Sequence, residues 1–517
     1  MRQAIYTFLM GAAAALAPVV VSGPVMAQKA KDTLRLAIND PIFVLSSYHV
    51  PADEASNFSR GVYQTLVSYD EMNKKYIPVM AKSYTRVSPT VLEFDLRDDL
   101  TFHNGNKFDA DDVVYTVNYV KDPKVSLTFK SRYTWIDKIE KLGPYKVRIT
   151  STQPNSIDLG FLAYRFTIWD AESWDKLEDK ADYGRLNPVG TGQYKVTLLD
   201  KNKGVTVERW DGFKGDKEYF PAPIKTIHGI PLPDPQTRVA QLMTGGVDMI
   251  RNATPDQAKD LLANPKLTVT NVPTAAEFYV ALDSAGRTGF EPTQDVRVRR
   301  AMFMAIDRDK IIKYLVPGGP EGVAEKLQAL CFKDTIGCKY SKTPPAYDPE
   351  GAKKLLAEAG YPNGFDIDYV VFAPNKPLGE AIAGDLLKIG VRAKISADAI
   401  SVYRRKQGDG KLQMWSILFP TGSHPDADNI LGVYFNGPAG AYYNDQTIAK
   451  WMREGTAEFD LAKREDIYQK IFDRVNEQSY ILPITSVPTV YVHTKDVRIE
   501  PSKLYSGERS VYDYNWN

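Results

Sequence analysis

The spacing of apolar residues along the chain predicts helices that alternate with strands. Apolar and polar residues alternate, as in half-buried strands, at 33–38, 91–96 and 205–210, and further strands are predicted at 146–150, 247–250, 391–395 and 489–492. Apolar residues at helical spacing predict helices over 109–120, 236–244, 295–313, 348–360, 381–389 and 464–478. This order of elements predicts an α/β fold.

Turn and cap residues fit these boundaries. Asn104-Gly105 is a strong turn signal, and Asp109 stands where the N-cap of the helix at 109–120 is expected. Asp348 and Pro349 open a later helix, and Gly360 ends it. The elements are therefore delimited by the sequence itself.

The first 27 residues resemble a secretory signal peptide. Arg2 supplies a positive charge, residues 5–21 are apolar, and Val25-Met26-Ala27 forms a cleavage site with short side chains. Residue 28 is Gln, so a lipid anchor on cysteine is not indicated. We therefore expect export to the periplasm of a Gram-negative bacterium.

Length and charge limit the function further. A chain of 517 residues is too long for one core, so two or three domains are expected. The 65 basic and 64 acidic residues nearly balance, which makes nucleic acid and anionic membranes poor partners. The two cysteines, Cys331 and Cys338, are expected to form a disulfide in an exported protein, with two free thiols as the alternative.

Motifs for catalysis are scarce. The sequence has neither a G-x-S-x-G nor an H-E-x-x-H motif, and its five histidines have no metal-ligand spacing. Ser173 and Lys176 match S-x-x-K, a weak pattern that leaves a secreted hydrolase as a distant alternative. Gly190-Thr191-Gly192 lacks the lysine of a phosphate loop. We expect no catalytic residues, no cofactor and no metal.

A stretch of about sixty residues carries a resemblance to a known family. From Asn57 to Val120 the chain contains VYQTLVSYD, PVMAKSY, EFDLRDDLTFHNG and KFDADDVVYTV in this order. This order is similar to the peptide-type (cluster C) solute-binding proteins of ABC importers, also called extracellular solute-binding protein family 5. Later segments with the same resemblance include RVAQLMTGGVDMI and YDPEGAKKLLAEAGYPNGF. The matches extend over nearly the whole chain after residue 33.

The resemblance implies a periplasmic-binding-protein-like fold with two lobes, a cleft and three domains. Domain I would consist of 28–56, 188–275 and 486–517, domain II of 57–187, and domain III of 276–485. A monomer would close its lobes on a small solute and deliver it to the permease and ATPase subunits of an importer.

The resemblance favours an oligopeptide or dipeptide as the solute. However, Gly422 stands where peptide-binding relatives have an aspartate for the ligand's amino group, and the loop 371–377 lacks the arginine that dipeptide-binding relatives use for the carboxylate. A non-peptide solute, such as an opine-like conjugate, an oligosaccharide or a nickel complex, remains the alternative, with His424 as the residue that suggests nickel.

The expected solute contacts are aromatic and polar residues near the cleft. Aromatic side chains would pack on the solute and a few polar groups would orient it. The candidate binding residues are Asn39, Asp40, Trp135, Phe372, Asn375, Trp415, Phe419 and Asp426.

Overall fold

The structure is a computed structural model that describes residues 28–49, 53–128, 130–186, 188–420, 426–504 and 509–517. The expected signal peptide, Gly422 and His424 lie outside the described residues. Helices and strands alternate along the described chain, and this confirms the α/β class. No helix within these ranges is both long enough and apolar enough to cross a bilayer.

The strands are β1 Thr33–Ile38, β2 Val67–Asp70, β3 Lys75–Pro78, β4 Ala81–Ser88, β5 Val91–Leu96, β6 Ile136–Gly143, β7 Lys146–Ser151, β8 Tyr194–Asp200, β9 Gly204–Arg209, β10 Thr226–Pro231, β11 Met249–Arg251, β12 Leu267–Val272, β13 Ala276–Leu282, β14 Asp366–Phe372, β15 Arg392–Asp398, β16 Met414–Pro420, β17 Ile481–Ser486, β18 Thr489–Thr494, β19 Val497–Ile499 and β20 Tyr514–Trp516.

The helices are α1 Asp53–Val62, α2 Ala110–Lys121, α3 Asp158–Tyr164, α4 Ala171–Asp175, α5 Tyr183–Leu186, α6 Pro235–Met243, α7 Pro255–Leu262, α8 Val296–Met304, α9 Arg308–Leu315, α10 Pro349–Glu358, α11 Lys376–Leu387, α12 Ile400–Gly408, α13 Ala427–Phe435, α14 Gly437–Gly440, α15 Gln446–Ala457 and α16 Leu461–Glu477.

The larger sheets divide the described chain into two lobes. Lobe 1 comprises the residues before 273 and after 488, and it contains the sheet β12-β18-β11-β1-β10-β9-β8 and the sheet β4-β5-β7-β6. Lobe 2 comprises residues 276–486 and contains the sheet β15-β14-β16-β13-β17. Two apolar clusters fill the two faces of the lobe 2 sheet, because alternate residues of β13 point to opposite sides.

Two short links connect the lobes. Residues 273–275 join β12 to β13, and residues 487–488 join β17 to β18. The links hydrogen-bond to each other: the Thr274 hydroxyl donates to the Val487 carbonyl at 2.7 Å, and the Val487 N–H donates to the Ala276 carbonyl at 2.9 Å. The expected boundaries at 276 and 485 lie beside these links, while the division into three domains stays a prediction.

Local capping explains where several helices begin. Asp109 accepts a hydrogen bond from the N–H of Asp111 and forms a capping box with Asp112, as the sequence predicts. The predicted helix over 295–313 is two helices, α8 and α9, because the Asp307 side chain caps a new start by accepting from the N–H of Lys310. The prediction of one continuous helix is wrong at this cap.

The arginines at the start of α8 have different environments. Arg297 is exposed, and its guanidinium pairs with the Asp295 carboxylate at 2.6 Å. Arg299 instead is buried and donates to the carbonyls of Thr293 and Gln478 at 2.8 Å each. This guanidinium therefore joins α8 to the end of α16, which the sequence pattern did not predict.

The Gly190-Thr191-Gly192 motif packs tightly against the end of α1. A Cβ atom at Gly190 would lie 2.0 Å from the Val62 carbonyl oxygen, closer than real Cβ contacts. The Gly192 N–H donates to the same carbonyl at 2.9 Å. The glycines therefore serve close backbone packing in lobe 1.

The two cysteines are joined as a disulfide in lobe 2. Cys331 and Cys338 have Cα atoms 5.8 Å apart. The loop between them reaches α13, where the Ile336 carbonyl accepts from the Ala427 N–H at 2.8 Å. The disulfide thus closes a short loop beside the start of α13.

Candidate functional site

One edge of the lobe 1 sheet carries the carboxyl ends of three parallel strands. β1 lies between β10 and β11 and is parallel to both, so Ile38 pairs with Pro231 and Ala37 pairs with Ile250. β18 begins just after a link and pairs Tyr491 with Arg251 at the end of β11. The carboxyl edge is therefore the edge next to the links, the position where ligands bind in open α/β sheets.

The lobe 2 sheet presents a corresponding edge to the links. β14 and β16 are parallel, and β13 runs antiparallel to β16, so Glu277 pairs with Phe419. Glu277 also pairs with Ser486 at the end of β17. Both lobes therefore place the carboxyl ends of parallel strands beside the links, and a cleft between the lobes is bounded by these edges.

Asn39 and Asp40 lie at the lobe 1 edge, where β1 ends. Their backbone N–H groups each donate to the Glu54 carboxylate at 2.8 Å, so α1 holds the loop in place. Burial raises the pKa of Glu54, and these two hydrogen bonds oppose the rise. The Asn39 side-chain oxygen is buried and has no hydrogen-bond partner among the described residues, whereas Asp40 is exposed.

Three predicted residues lie together at the lobe 2 edge. Phe372 ends β14, and Asn375 follows in a short 3-10 turn. The Asn375 side-chain oxygen accepts from the Leu418 N–H at 3.1 Å, which ties this turn to β16. Phe419, near the end of β16, packs edge to face on Tyr434 with ring centroids 5.9 Å apart.

Glu277 is a fully buried acid at this same edge. The Tyr434 hydroxyl donates to one of its carboxylate oxygens, and the other oxygen has no partner among the described residues. Burial raises the pKa of Glu277 from 4.5 to about 7, and the Tyr434 hydrogen bond opposes this. No motif or spacing in the sequence pointed to this residue.

Asp426 has a structural partner. Its side chain caps α13 by accepting from the Asp428 N–H at 2.9 Å, and it forms a buried ion pair with Arg464 of α16. Burial alone would lower the pKa of Arg464, but the charge of Asp426 keeps it above its usual value. The pair fixes the buried start of α13 against α16.

The two predicted tryptophans lie in cores. Trp135 stacks on Phe161 in lobe 1, with ring centroids 6.4 Å apart. Trp415 packs on Tyr442 in lobe 2, with ring centroids 4.8 Å apart. Trp415 is only 1% exposed. These positions indicate packing, and contact with a solute stays a prediction for both residues.

The lobes also touch each other outside the links. The Ser156 N–H of lobe 1 donates to the Thr456 carbonyl of lobe 2 at 2.8 Å. The Arg86 guanidinium lies 4.5 Å from the centre of the Phe459 ring, and Asp158 pairs with the same guanidinium. These contacts hold the two lobes against each other, as in a closed cleft.

A polar cavity lies within lobe 1, beside the loop that leaves β1. The cavity has a volume of about 30 Å³ and opens to solvent. Its described lining residues are Ser47, Ser56, Ser59, Arg60, Tyr63, Gln64, Thr65, Tyr164, Arg165, Thr167, Phe220 and Tyr512. We call it the arginine cavity, because its lining has two arginines and no described carboxylate.

The polar face of α1 is the signal that sequence reasoning missed. Phe58, Val62 and Leu66 recur at helical spacing in the sequence, and all three side chains are buried. The opposite side carries Ser56 and Arg60, which line the arginine cavity. A search for polar residues on the other face would have found them.

The weak hydrolase motif has no catalytic arrangement. The Ser173 hydroxyl donates to Asp170, and Lys176 pairs with Glu172 at 2.8 Å. Each residue of the motif therefore has another partner. Within the described ranges, no group of three or more His, Cys, Asp or Glu residues could hold a metal ion.

Comparisons with known proteins agree with this geometry. The profile described as "Bacterial extracellular solute-binding proteins, family 5 Middle" matches residues 75–442. The glutathione-binding protein GsiB of Shigella dysenteriae serotype 1 (strain Sd197) is 26% identical over 488 residues, which cover 90% of this chain and 91% of that protein.

Solved structures share the fold over almost the whole chain. The periplasmic binding protein DppA from Helicobacter pylori, in complex with the peptide STSA, has a TM-score of 0.77 at 23% identity and covers 95% of this chain and 99% of its own. The binding protein AgaA in complex with agropinic acid, from A. tumefaciens R10, has a TM-score of 0.75 at 25% identity, with 94% and 99% covered. The chain belongs to the bacterial extracellular solute-binding proteins of family 5, the periplasmic binding components of ABC importers.

Proposed function

We propose that this protein captures a small peptide or peptide-like solute between its lobes and delivers it to a membrane permease. The observation that carries the proposal is the pair of sheet edges beside the links. Each edge holds the carboxyl ends of parallel strands, and two short links join the lobes. A hinge at these links would bring the edges together around a solute.

The nature of the relatives supports a peptide-like solute. One relative is named for glutathione, one solved structure holds the peptide STSA, and another holds agropinic acid. These ligands have polar groups and a few carbon atoms rather than a large apolar body. An opine-like conjugate is the second candidate, because the AgaA complex has an acid of this kind as its ligand.

We further propose that binding occurs without turnover. Ser173 and Lys176 have separate partners, so the one hydrolase motif lacks a nucleophile paired with a base. The polar groups at the cleft edges, such as Asn375, are held by backbone contacts that suit orientation of a ligand. The closed protein with its solute would then bind the permease, which takes up the solute with the help of the ATPase.

The test is a binding and compaction experiment on the purified protein. Carried ligand is first removed by unfolding in guanidinium and refolding. Thermal unfolding is then measured with di- to pentapeptides, glutathione, opine-like conjugates and oligosaccharides. A ligand at about a thousand times its Kd should stabilise the protein by about 4 kcal/mol. Small-angle scattering should show a smaller radius with that ligand.

A matched variant separates closure from folding. Phe459→Ala removes the ring under Arg86 in the contact between lobes, and Phe459 is partly exposed, so lobe stability should change little. We expect weaker ligand binding and less compaction in this variant. Stabilisation by sugars without stabilisation by peptides would refute the peptide proposal, and steady release of a cleaved product would refute binding without turnover.

A further inference from the structure

The lining of the arginine cavity is rich in hydrogen-bond donors. Arg60 and Arg165 contribute guanidinium groups, Gln64 an amide, and Ser47 and Thr167 hydroxyl groups, with no carboxylate among the described lining residues. The Ser47 hydroxyl contacts the Thr167 hydroxyl at 3.0 Å and donates to the Arg165 carbonyl at 3.0 Å. These bonds fix the wall that the loop after β1 contributes.

Positive charge is concentrated around Tyr164. The Arg60 guanidinium lies 4.8 Å from the centre of the Tyr164 ring and donates to its hydroxyl, and the Arg165 guanidinium lies 5.4 Å from the same ring. Burial first, and then the charge of Arg165, lower the pKa of Arg132 to about 10. Each arginine has contacts of its own in the fold, and the buried Asp513 lies close enough to Arg60 to interact with its charge. The lining itself carries two positive groups and no described carboxylate.

Gln64 is the second, independent observation. It is 4% exposed and lines the cavity, and neither its amide oxygen nor its amide nitrogen has a hydrogen-bond partner among the described residues. Tyr63 is also buried, and its hydroxyl lacks a described partner. A buried amide without partners is destabilising, and a ligand that supplies an acceptor can relieve this cost.

We propose that the arginine cavity binds a carboxylate group of the solute, held by the guanidinium groups of Arg60 and Arg165 and by the Gln64 amide. The inference rests on the proposed capture of a peptide-like solute. Guanidinium groups suit carboxylates because they donate two parallel hydrogen bonds. The loop 371–377 on the lobe 2 side contains no arginine.

The position of the cavity agrees with this role. Its Ser47 wall belongs to the loop that follows β1, which begins at the cleft edge with Asn39 and Asp40. Its other wall is the polar face of α1, the helix whose Glu54 holds the same loop. A solute bound at the edge can therefore extend its acidic end along α1 into the cavity.

The test compares a carboxylate with its neutral ester. The refolded, ligand-free protein is titrated by calorimetry with glutathione, with glutathione diethyl ester, and with succinate as an anion that is not a peptide. We expect glutathione to bind at least about tenfold more tightly than the diester, the size of one charge-assisted contact.

Variants assign the preference to the cavity. Gln64→Glu keeps the side-chain size and places a carboxylate beside the arginines, so glutathione should lose at least about tenfold in affinity while the diester is unaffected. Arg165→Gln provides a second variant if the first does not fold. Gln236→Glu, at an exposed position of α6, is the matched control and should bind like the wild type.

The outcomes separate this inference from the proposed function. Equal binding of glutathione and its ester overturns the carboxylate site and leaves peptide capture intact. Binding of succinate alone, abolished by Gln64→Glu, supports the anion site and excludes glutathione as the captured peptide. An unchanged preference for glutathione over its ester in both cavity variants overturns the assignment to this cavity. No binding of any of the three probes overturns the carboxylate site, while the wider panel described above decides peptide capture.

Discussion

Replacing Glu277 with glutamine is expected to remove a pH-dependent loss of stability from lobe 2. Burial raises the pKa of this carboxyl from 4.5 to about 7. Below pH 4.5 the group is protonated in both the folded and the unfolded chain, so its neutral form contributes fully to stability. As pH rises from 4.5 to about 7, the unfolded chain releases the proton while the folded chain keeps it, and the free energy of unfolding falls.

The size of this loss follows from the two pKa values. One pKa unit corresponds to about 1.4 kcal/mol, so the rise from 4.5 to about 7 gives a loss of about 3 kcal/mol across this window. Glutamine has no proton to release, and its oxygen can still accept from the Tyr434 hydroxyl. The stability of Glu277→Gln relative to the wild type should therefore increase by about 3 kcal/mol between acid and neutral pH.

The assay is urea unfolding of both proteins at a series of pH values from about 4 to 8.5, where this difference should develop. Asp112 and Asp513 are also buried acids whose pKa is raised to about 7, but they are present in both proteins and their effects cancel. Glu291→Gln, at an exposed position in lobe 2, is the control. A difference between wild type and Glu277→Gln that stays constant with pH would refute the reasoning.

Three further changes test the interior of lobe 2 by urea unfolding. Trp415→Ala should lower the free energy of unfolding by about 3–5 kcal/mol, because it empties a large buried site. Asp426→Asn should cost about 3–5 kcal/mol, because Arg464 stays buried without its carboxylate partner. Replacing Cys331 and Cys338 together by serine should cost about 2–3 kcal/mol, because the unfolded chain gains the freedom of an open loop.

Exposed positions provide the controls for these changes. Leu262→Ala truncates an apolar side chain that is 65% exposed, so its effect should stay within about 0.5 kcal/mol. Asp366→Asn breaks an exposed pair with Arg392 and should leave the urea midpoint unchanged. If Asp426→Asn and Asp366→Asn lowered the free energy of unfolding equally, the role of burial would be contradicted. If dithiothreitol left the urea midpoint of the wild type unchanged, the role of the disulfide would be contradicted.

The sequence predicted much of the fold because local signals and tertiary structure agree. The alternation over 91–96 forms β5, and the cap at Asp109 opens the helix that the spacing indicates. The single helix over 295–313 was wrong because one side-chain oxygen at Asp307 starts a new helix inside a continuous apolar pattern. Such a break depends on a single residue and leaves the periodicity intact.

The site was harder to predict because its residues are related through space. Asn39 and Asn375 lie far apart in the sequence and reach facing edges only through sheet order. Glu277 lies in an ordinary strand, and its burial comes from Tyr434 of a later helix. Trp415 is an aromatic residue of the kind expected to contact a ligand. The alternation of side chains along β16 instead points it into the core of lobe 2.

The two links between the lobes have a consequence for modular construction. Lobe 2 enters and leaves through neighbouring strands, because Val272 pairs with Thr489 in lobe 1 and Glu277 pairs with Ser486 in lobe 2. Lobe 2 is thus an insertion at the tip of an antiparallel hairpin formed by β12 and β18. A tight turn in place of 273–488 would close that hairpin. Because the two junctions lie side by side, we expect that lobe 2 of a relative can be joined to lobe 1 of this protein at these two points.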